Sequence, residues 1–176
     1  MYTHPRHEWF ALMVKPRFEK SASTLLRQKG YEDFLPLTAE ARNWSDRVKT
    51  VELPLFPRYL FCRFTPHEQG RILNTPGVQK IVGFGMRPTP IPDQEIESLR
   101  RLIKSGSTAA ICDYISNGEY VLVREGPLAG MEGVLVKAKG TCRVVVSIHL
   151  LQRSVYAEVD RASIVPSVIK PATYTH

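Results

Sequence analysis

Apolar positions in the first part of the chain change their spacing several times, and each change marks an element. Trp9 to Val14 is a short apolar run of strand character. Phe18, Ala22, Leu25 and Leu26 then recur at helical spacing, and Gly30 stands where a C-cap glycine ends a helix. Phe34-Leu35-Pro36 reads as a brief second strand, Thr38 to Arg47 is a polar interruption, and alternation resumes from Val48 to Leu55. Tyr59 to Phe64 is almost continuously apolar, as a central strand is. Thr65-Pro66-His67-Glu68 is a capping box with proline at the first helical position, which predicts a helix to Leu73. Val78 to Phe84 reads as another strand. From Asp93 a helix follows, with Ile96, Leu99 and Leu102 or Ile103 on one face.

After residue 104 the pattern changes class. Lys104-Ser105-Gly106-Ser107-Thr108 is small and polar and opens a linker that runs over 105–117. Beyond it only strand patterns remain: Tyr120–Val123, Gly133–Val136, Cys142–Leu150, Arg153–Val159 and Ile164-Val165. Short strands in such a span bury a core by curling into a small barrel. The chain therefore reads as α+β in two domains: an α/β sandwich with a mixed sheet and helices over 1–104, and a β-barrel over 118–170, followed by a tail at 171–176.

Composition narrows the function more than the fold. Apolar residues make up 43% and charged residues 23%, which suits folded domains. Cys62, Cys112 and Cys142 lie far apart and lack metal-site spacing; an odd count argues against a secreted disulfide framework. No metal or other cofactor is expected. No apolar run approaches the ~18–20 residues that span a bilayer, and the N-terminus lacks the apolar core of a signal peptide, so the expectation is a cytoplasmic protein without membrane contact. The Walker, Rossmann, HExxH and GxSxG motifs are missing. Of the five histidines, those at 4, 7 and 176 lie near a terminus, His67 in a first helical turn, and His149 within a strand as a satisfied barrel residue. No catalytic residue is assigned, and an enzyme is not expected.

Net charge is +7, and it is uneven. Residues 1–106 hold 17 Lys/Arg against 11 Asp/Glu, and residues 107–176 hold 7 against 6. The first half is the better candidate for an acidic partner, with a plain solvated surface as the competing reading. Glu40 to Lys49 interleaves Arg42, Arg47 and Lys49 with Trp44, cations beside a stackable ring. Arg17, Lys20 and Arg27 on the presumed exposed face of the first helix could extend that patch. An ordinary solvated hairpin loop is the alternative.

Two segments are more specific. Leu53-Pro54-Leu55-Phe56-Pro57-Arg58-Tyr59-Leu60-Phe61, with Thr75-Pro76-Gly77-Val78 and Val82-Gly83-Phe84-Gly85 later, resembles the N-terminal (NGN) domain of the NusG family. Gly126-Pro127-Leu128-Ala129-Gly130-Met131-Glu132-Gly133 resembles a KOW loop at the first hairpin of an SH3-like barrel. Together they cover about residues 8–166 in the family's domain order. The resemblance implies a transcription elongation or antitermination factor. Its NGN domain would bind RNA polymerase at the clamp helices of the largest catalytic subunit and touch non-template DNA. Its KOW domain would recruit Rho or a small-subunit ribosomal protein, and the protein would act as a monomer.

Carried over by motif, Trp9, Phe56, Pro57 and Tyr59 are the foremost polymerase contacts, gathered at a sheet rim if the first strand neighbours Tyr59–Phe64. Phe10, Ile81 and Phe84 come next, with core packing as their competing reading. Gly126, Leu128, Gly130, Met131 and Gly133 would form the partner loop, with Leu128 and Met131 exposed at its tip. The loop around Trp44, and Arg58 where many relatives carry glycine, lie closer to the specialised RfaH/UpxY type. A general NusG factor is the alternative, and a KOW-type RNA- or ribosome-binding protein a more distant one. The β-branched runs Cys142–Ile148 and Ser154–Val159 disfavour any helical form of the second domain.

Overall fold

Burial of the apolar face of one short helix organises the first half of the molecule. The computed structural model describes residues 6–43, 48–85, 87–107, 110–112, 118–138 and 141–167. It separates into two compact units, Met1–Ile91 and Pro92–His176.

In the first unit the chain runs β1 (Glu8–Val14), α1 (Glu19–Gln28), β2 (Glu32–Phe34), β3 (Leu37–Asn43), β4 (Val48–Pro54) and β5 (Tyr59–Phe64). A single 3-10 turn at Pro66–Glu68 leads into α2 (Gln69–Leu73), then β6 (Val78–Ile81), β7 (Gly83–Phe84) and β8 (Arg87–Pro88). The main sheet has the order β2-β5-β1-β6, and every pairing in it is antiparallel. Successive side chains on a strand point to opposite faces. Phe10, Leu12 and Val14 of β1 thus join Leu60, Cys62 and Phe64 of β5 in a core with Ala22, Leu26, Tyr31 and Ile72. Phe10 and Phe64 rings lie 4.5 Å apart.

Helix α1 begins with Glu19 and carries Arg27 in its last turn, both favourable to the helix dipole. It stops at Gly30, whose φ of +89° suits glycine and lets Tyr31 N–H reach the Leu26 carbonyl. The capping box forms as the sequence predicts, with Thr65 N–H and hydroxyl both donated to Glu68 Oε2 at 2.9 Å. The backbone bond holds the Glu68 carboxyl below its ordinary range, and the Thr65 hydroxyl adds to the effect.

Burial pushes the Cys62 thiol up to about 12. We expect a maleimide at neutral pH to leave Cys62 unmodified in the native chain and to modify it once urea unfolds the first unit, as read by peptide mass spectrometry. Labelling of native Cys62 at the rate of a free thiol would contradict the packing.

Two sequence expectations change here. The polar interruption at Thr38–Arg47 is in large part a strand: β3 pairs with β4 along its whole length, from Leu37↔Pro54 to Asn43↔Val48. Its polar residues fit because the hairpin is a separate two-stranded ladder with largely exposed positions, not a wall of the core. The run Val78–Phe84 is broken at Val82, whose N–H is donated to the Ala11 carbonyl; β7 then turns away to pair with β8.

The second unit begins with α3 (Asp93–Lys104), followed by β9 (Ala110–Cys112), β10 (Glu119–Val123), β11 (Glu132–Ala138), β12 (Thr141–Ile148), β13 (Arg153–Val159) and β14 (Ile164–Pro166). These strands form one antiparallel sheet of order β14-β10-β11-β12-β13-β9. Val121, Val123, Val144, Ile148, Val155 and Ala157 share its buried face. The sequence groups the helix from Asp93 with the first domain, up to residue 104; in the structure it lies in the second unit. Polar contacts join it to the rest of that unit: Gln94 with Glu132 of β11, Arg101 Nη1 donated to the Ala129 carbonyl at 3.2 Å, and Glu95 with His149. Among the described residues no helix is long and apolar enough to cross a membrane.

Candidate functional site

The turn between β4 and β5 is built on a buried ring. Phe56 is fully enclosed (0% exposed) and packs edge-on against Phe61 with centroids 6.1 Å apart; Phe61 in turn stacks on Phe34 at 6.0 Å. The Phe56 carbonyl accepts the Tyr59 N–H at 3.0 Å, closing a turn whose outer residues, Pro57 and Arg58, are exposed. Pro57 has no N–H to offer a sheet, so the entrance of a strand is a natural place for it. Arg58 adopts φ +71°, the left-handed region that costs a non-glycine residue ~1 kcal/mol or more. Its backbone is held from both sides: Arg58 N–H is donated to Glu19 Oε1 at 2.9 Å, and its carbonyl accepts Val14 N–H at 2.9 Å.

This turn meets two others at one end of the main sheet. Lys15 N–H is donated to the Gly77 carbonyl at 2.8 Å, which joins the chain after β1 to the Pro-Gly-Val turn before β6. Gly77, at φ +90°, lies against the Phe18 ring, and Phe18 is 42% exposed. The rim thus presents Pro57, Arg58, Phe18, Lys15 and Arg17, with half-buried Tyr59 and Met13 behind them. Arg17 shares the left-handed conformation, at φ +67°.

The predicted aromatic cluster divides. Trp9 does not lie beside Tyr59: β1 and β5 are antiparallel, so Trp9 faces Arg63 and Tyr59 faces Met13. Four residues of strand put those positions ~13 Å apart along the sheet. Trp9 is 2% exposed, with the Arg63 guanidinium 6.0 Å from its ring and its carbonyl accepting Ile91 N–H. Phe56 and Trp9 are therefore buried supports and not exposed anchors in this structure. Phe10 belongs to the helix-packed core, and Ile81 packs against the same core. Phe84 differs: it is 53% exposed on the β7–β8 hairpin, with its N–H donated to Thr89 Oγ1.

The basic residues divide as well. Arg27 is engaged in structure, its Nε donated to Asp33 Oδ1 at 2.9 Å, and the hydrogen bond to that carboxylate raises the Arg27 pKa. Lys20 lies 3.6 Å from Glu52 and ties α1 to β4. Lys49 is exposed on β4, opposite Arg42 in register. Trp44 and Arg47 fall outside the described residues.

In the second unit the predicted loop is compact. Leu128 and Met131 are buried, not exposed at a tip, because Met131 N–H returns to the Leu128 carbonyl and folds the loop onto the sheet. Gly126 and Gly130 have φ of +87° and +80°, while Gly133 sits within β11 where a Cβ would meet the Val145 carbonyl oxygen at 2.5 Å. His149 has Nδ1 2.9 Å from Glu95 Oε1 and donates its N–H to Glu95 Oε2 at 3.3 Å. Sequence reasoning missed that pair and the Arg58 contacts, since each joins residues distant along the chain.

Residues 7–100 match the family model described as transcription termination factor nusG. The chain belongs to the NusG family. Members of this family are transcription factors and not enzymes. The chain is similar to the transcription termination/antitermination protein NusG of Escherichia coli strain K12, 25% identical over 171 residues, covering 89% of this chain and 94% of that one. The NusG of Thermus thermophilus is 26% identical over 184 residues, with 90% and 97% covered. A solved structure described as "Domain interaction in Thermotoga maritima NusG" is similar in fold at TM-score 0.51 and 18% identity, over 89% of this chain and 95% of that one.

Proposed function

We propose that this NusG-family chain is a specialised antitermination factor of the RfaH/UpxY type that binds RNA polymerase through its first unit. The observation that carries the docking reading is the Phe-Pro-Arg-Tyr turn. Phe56 anchors it from beneath, and Arg58, between Pro57 and Tyr59, is held at the sheet rim by its backbone bonds to Val14 N–H of β1 and to the Glu19 side chain of α1. A fixed rim of apolar and cationic groups suits an interface whose affinity rests on a few aromatic and arginine anchors. The clamp helices of the largest catalytic subunit are the partner. The β3–β4 hairpin, with Lys20 of α1 beside Glu52 of β4, is the surface for non-template DNA. The second unit is read as the SH3-like KOW barrel that recruits Rho or a small-subunit ribosomal protein. The protein works in the cytoplasm as a monomer.

A general NusG role is the second reading, favoured by relatives of that name matching nearly the full length. The first test is capture of core RNA polymerase by the purified full chain, wild type beside Tyr59→Ala. Half-buried Tyr59 can lose its ring with less damage than Phe56, so we expect at least a tenfold weaker capture, on the order of a modest hot spot. Unchanged capture would move the site away from this turn. A wild type that captures no polymerase would overturn the docking reading as a whole.

A further inference from the structure

We propose that Arg58 sets the charge specificity of the docking rim, its guanidinium meeting an acidic protein surface on the polymerase; this rests on the docking reading above. The turn itself has no need of an arginine. Its conformation, φ +71°, is one that glycine adopts without strain, and both bonds that fix it, to Glu19 and from Val14, use backbone atoms that glycine also has. The arginine therefore stands there at a conformational cost, and its place in the fold points to its role.

Arg58 Nη2 is donated to Gln79 Oε1 at 3.1 Å and lies 3.9 Å from Met13 Sδ, which aims an exposed guanidinium across the rim. Among the described residues no carboxylate pairs with it. Lys15, Arg17 and Lys80, the last opposite Met13 in register, are exposed around it, and the nearby carboxylate of Glu19 is buried beneath the turn. The rim is therefore net cationic, its four exposed cations outnumbering the one buried carboxylate beneath them. A protein partner fits better than a nucleic acid because Met13, Tyr59, Pro57 and Phe18 interleave apolar surface with the charges. Arginine among aromatic and aliphatic groups is the composition of a protein interface core, and complementary charge there governs partner choice and association rate.

The test uses the full chain and core RNA polymerase at low and high salt, with a fluorescent single-stranded DNA as a second ligand. Arg58→Gly, Arg58→Gln and Arg58→Glu are compared with wild type. We expect R58G to unfold at no lower urea concentration than wild type, and to bind polymerase about fivefold to tenfold more weakly at low salt. That gap should close as salt rises. R58Q keeps the stem and chirality without the charge and should match R58G, while R58E should be weaker than both. DNA binding should be unchanged throughout. Polymerase binding by R58G and R58Q equal to a binding wild type would overturn this inference alone. Weakened DNA binding with intact polymerase binding would overturn it in favour of a nucleic-acid contact. A wild type that does not bind polymerase would remove the docking reading and this inference with it.

Discussion

Replacing Phe56 with alanine should lower the unfolding free energy of the first unit by about 3–5 kcal/mol, the usual cost of deleting a buried aromatic ring. The ring is fully enclosed and supports Phe61 edge-on, and Phe61 in turn stacks on Phe34, so the substitution leaves a cavity beneath the turn and beside Phe61. Urea denaturation followed by tryptophan fluorescence measures it, since Trp9 belongs to this unit. Phe84→Ala is the contrast. That ring is mostly exposed on a two-residue strand, and its removal should change stability by less than ~0.5 kcal/mol. The pair of variants separates two ways of losing polymerase: F56A through a damaged scaffold, F84A only if its ring is itself a contact. A Phe56→Ala loss below ~1 kcal/mol would show that the ring is not the foundation of the turn.

This contrast also shows which features the sequence carries. Local patterns were legible: the continuous apolar run of β5, the helical spacing of α1 with its terminal glycine, and the Thr65–Glu68 box all depend on residues close together in the chain. The motif around Phe56 located the turn but not the direction of its rings. A Phe-Pro-x-Tyr sequence does not say that the first ring turns inward, because that depends on Phe61 and Phe34 being beneath it. Trp9 was placed beside Tyr59 by adjacency of strands alone. The antiparallel register, which a list of strands does not contain, sends it to the other end of the sheet. Arg27 was grouped with the DNA-facing cations because its helix face is exposed, yet Asp33, brought near by the turn after α1, claims its guanidinium. The polar β3 was invisible to hydrophobic periodicity for a physical reason: a two-stranded ribbon outside the core has no buried face to impose alternation.

The second large effect is expected at Gly133, where two glycine arguments give opposite rankings. By backbone conformation alone, Gly126 at φ +87° is the costlier glycine to replace, since Gly133 lies outside the positive-φ region. By space the order reverses. A Cβ on Gly126 meets nothing within 4 Å, whereas on Gly133 it would meet the Val145 carbonyl oxygen at 2.5 Å and Val144 Cγ1 at 2.7 Å. That oxygen belongs to β12, which is locked in register with β11 on one side and β13 on the other, so it cannot step aside as a side-chain tip can. Gly126→Ala should therefore cost ~1 kcal/mol, the lower end for a non-glycine residue held at positive φ. Gly133→Ala should cost ~3 kcal/mol, the upper end for overpacking, because the ladder between β11 and β12 must open to admit a methyl group. Amide hydrogen exchange resolves the difference by location. In G133A, protection should fall across Val134–Val136 and Val144–Val146, while in G126A it should fall only around the loop. Equal costs for the two variants, or a larger one for Gly126, would mean that β11 and β12 do not approach as closely as described. On the proposed reading, in which the second unit recruits a partner, that recruitment should fail in G133A through loss of the sheet that holds Leu128 and Met131 in place, and a partner that still bound G133A normally would have to dock elsewhere on the unit.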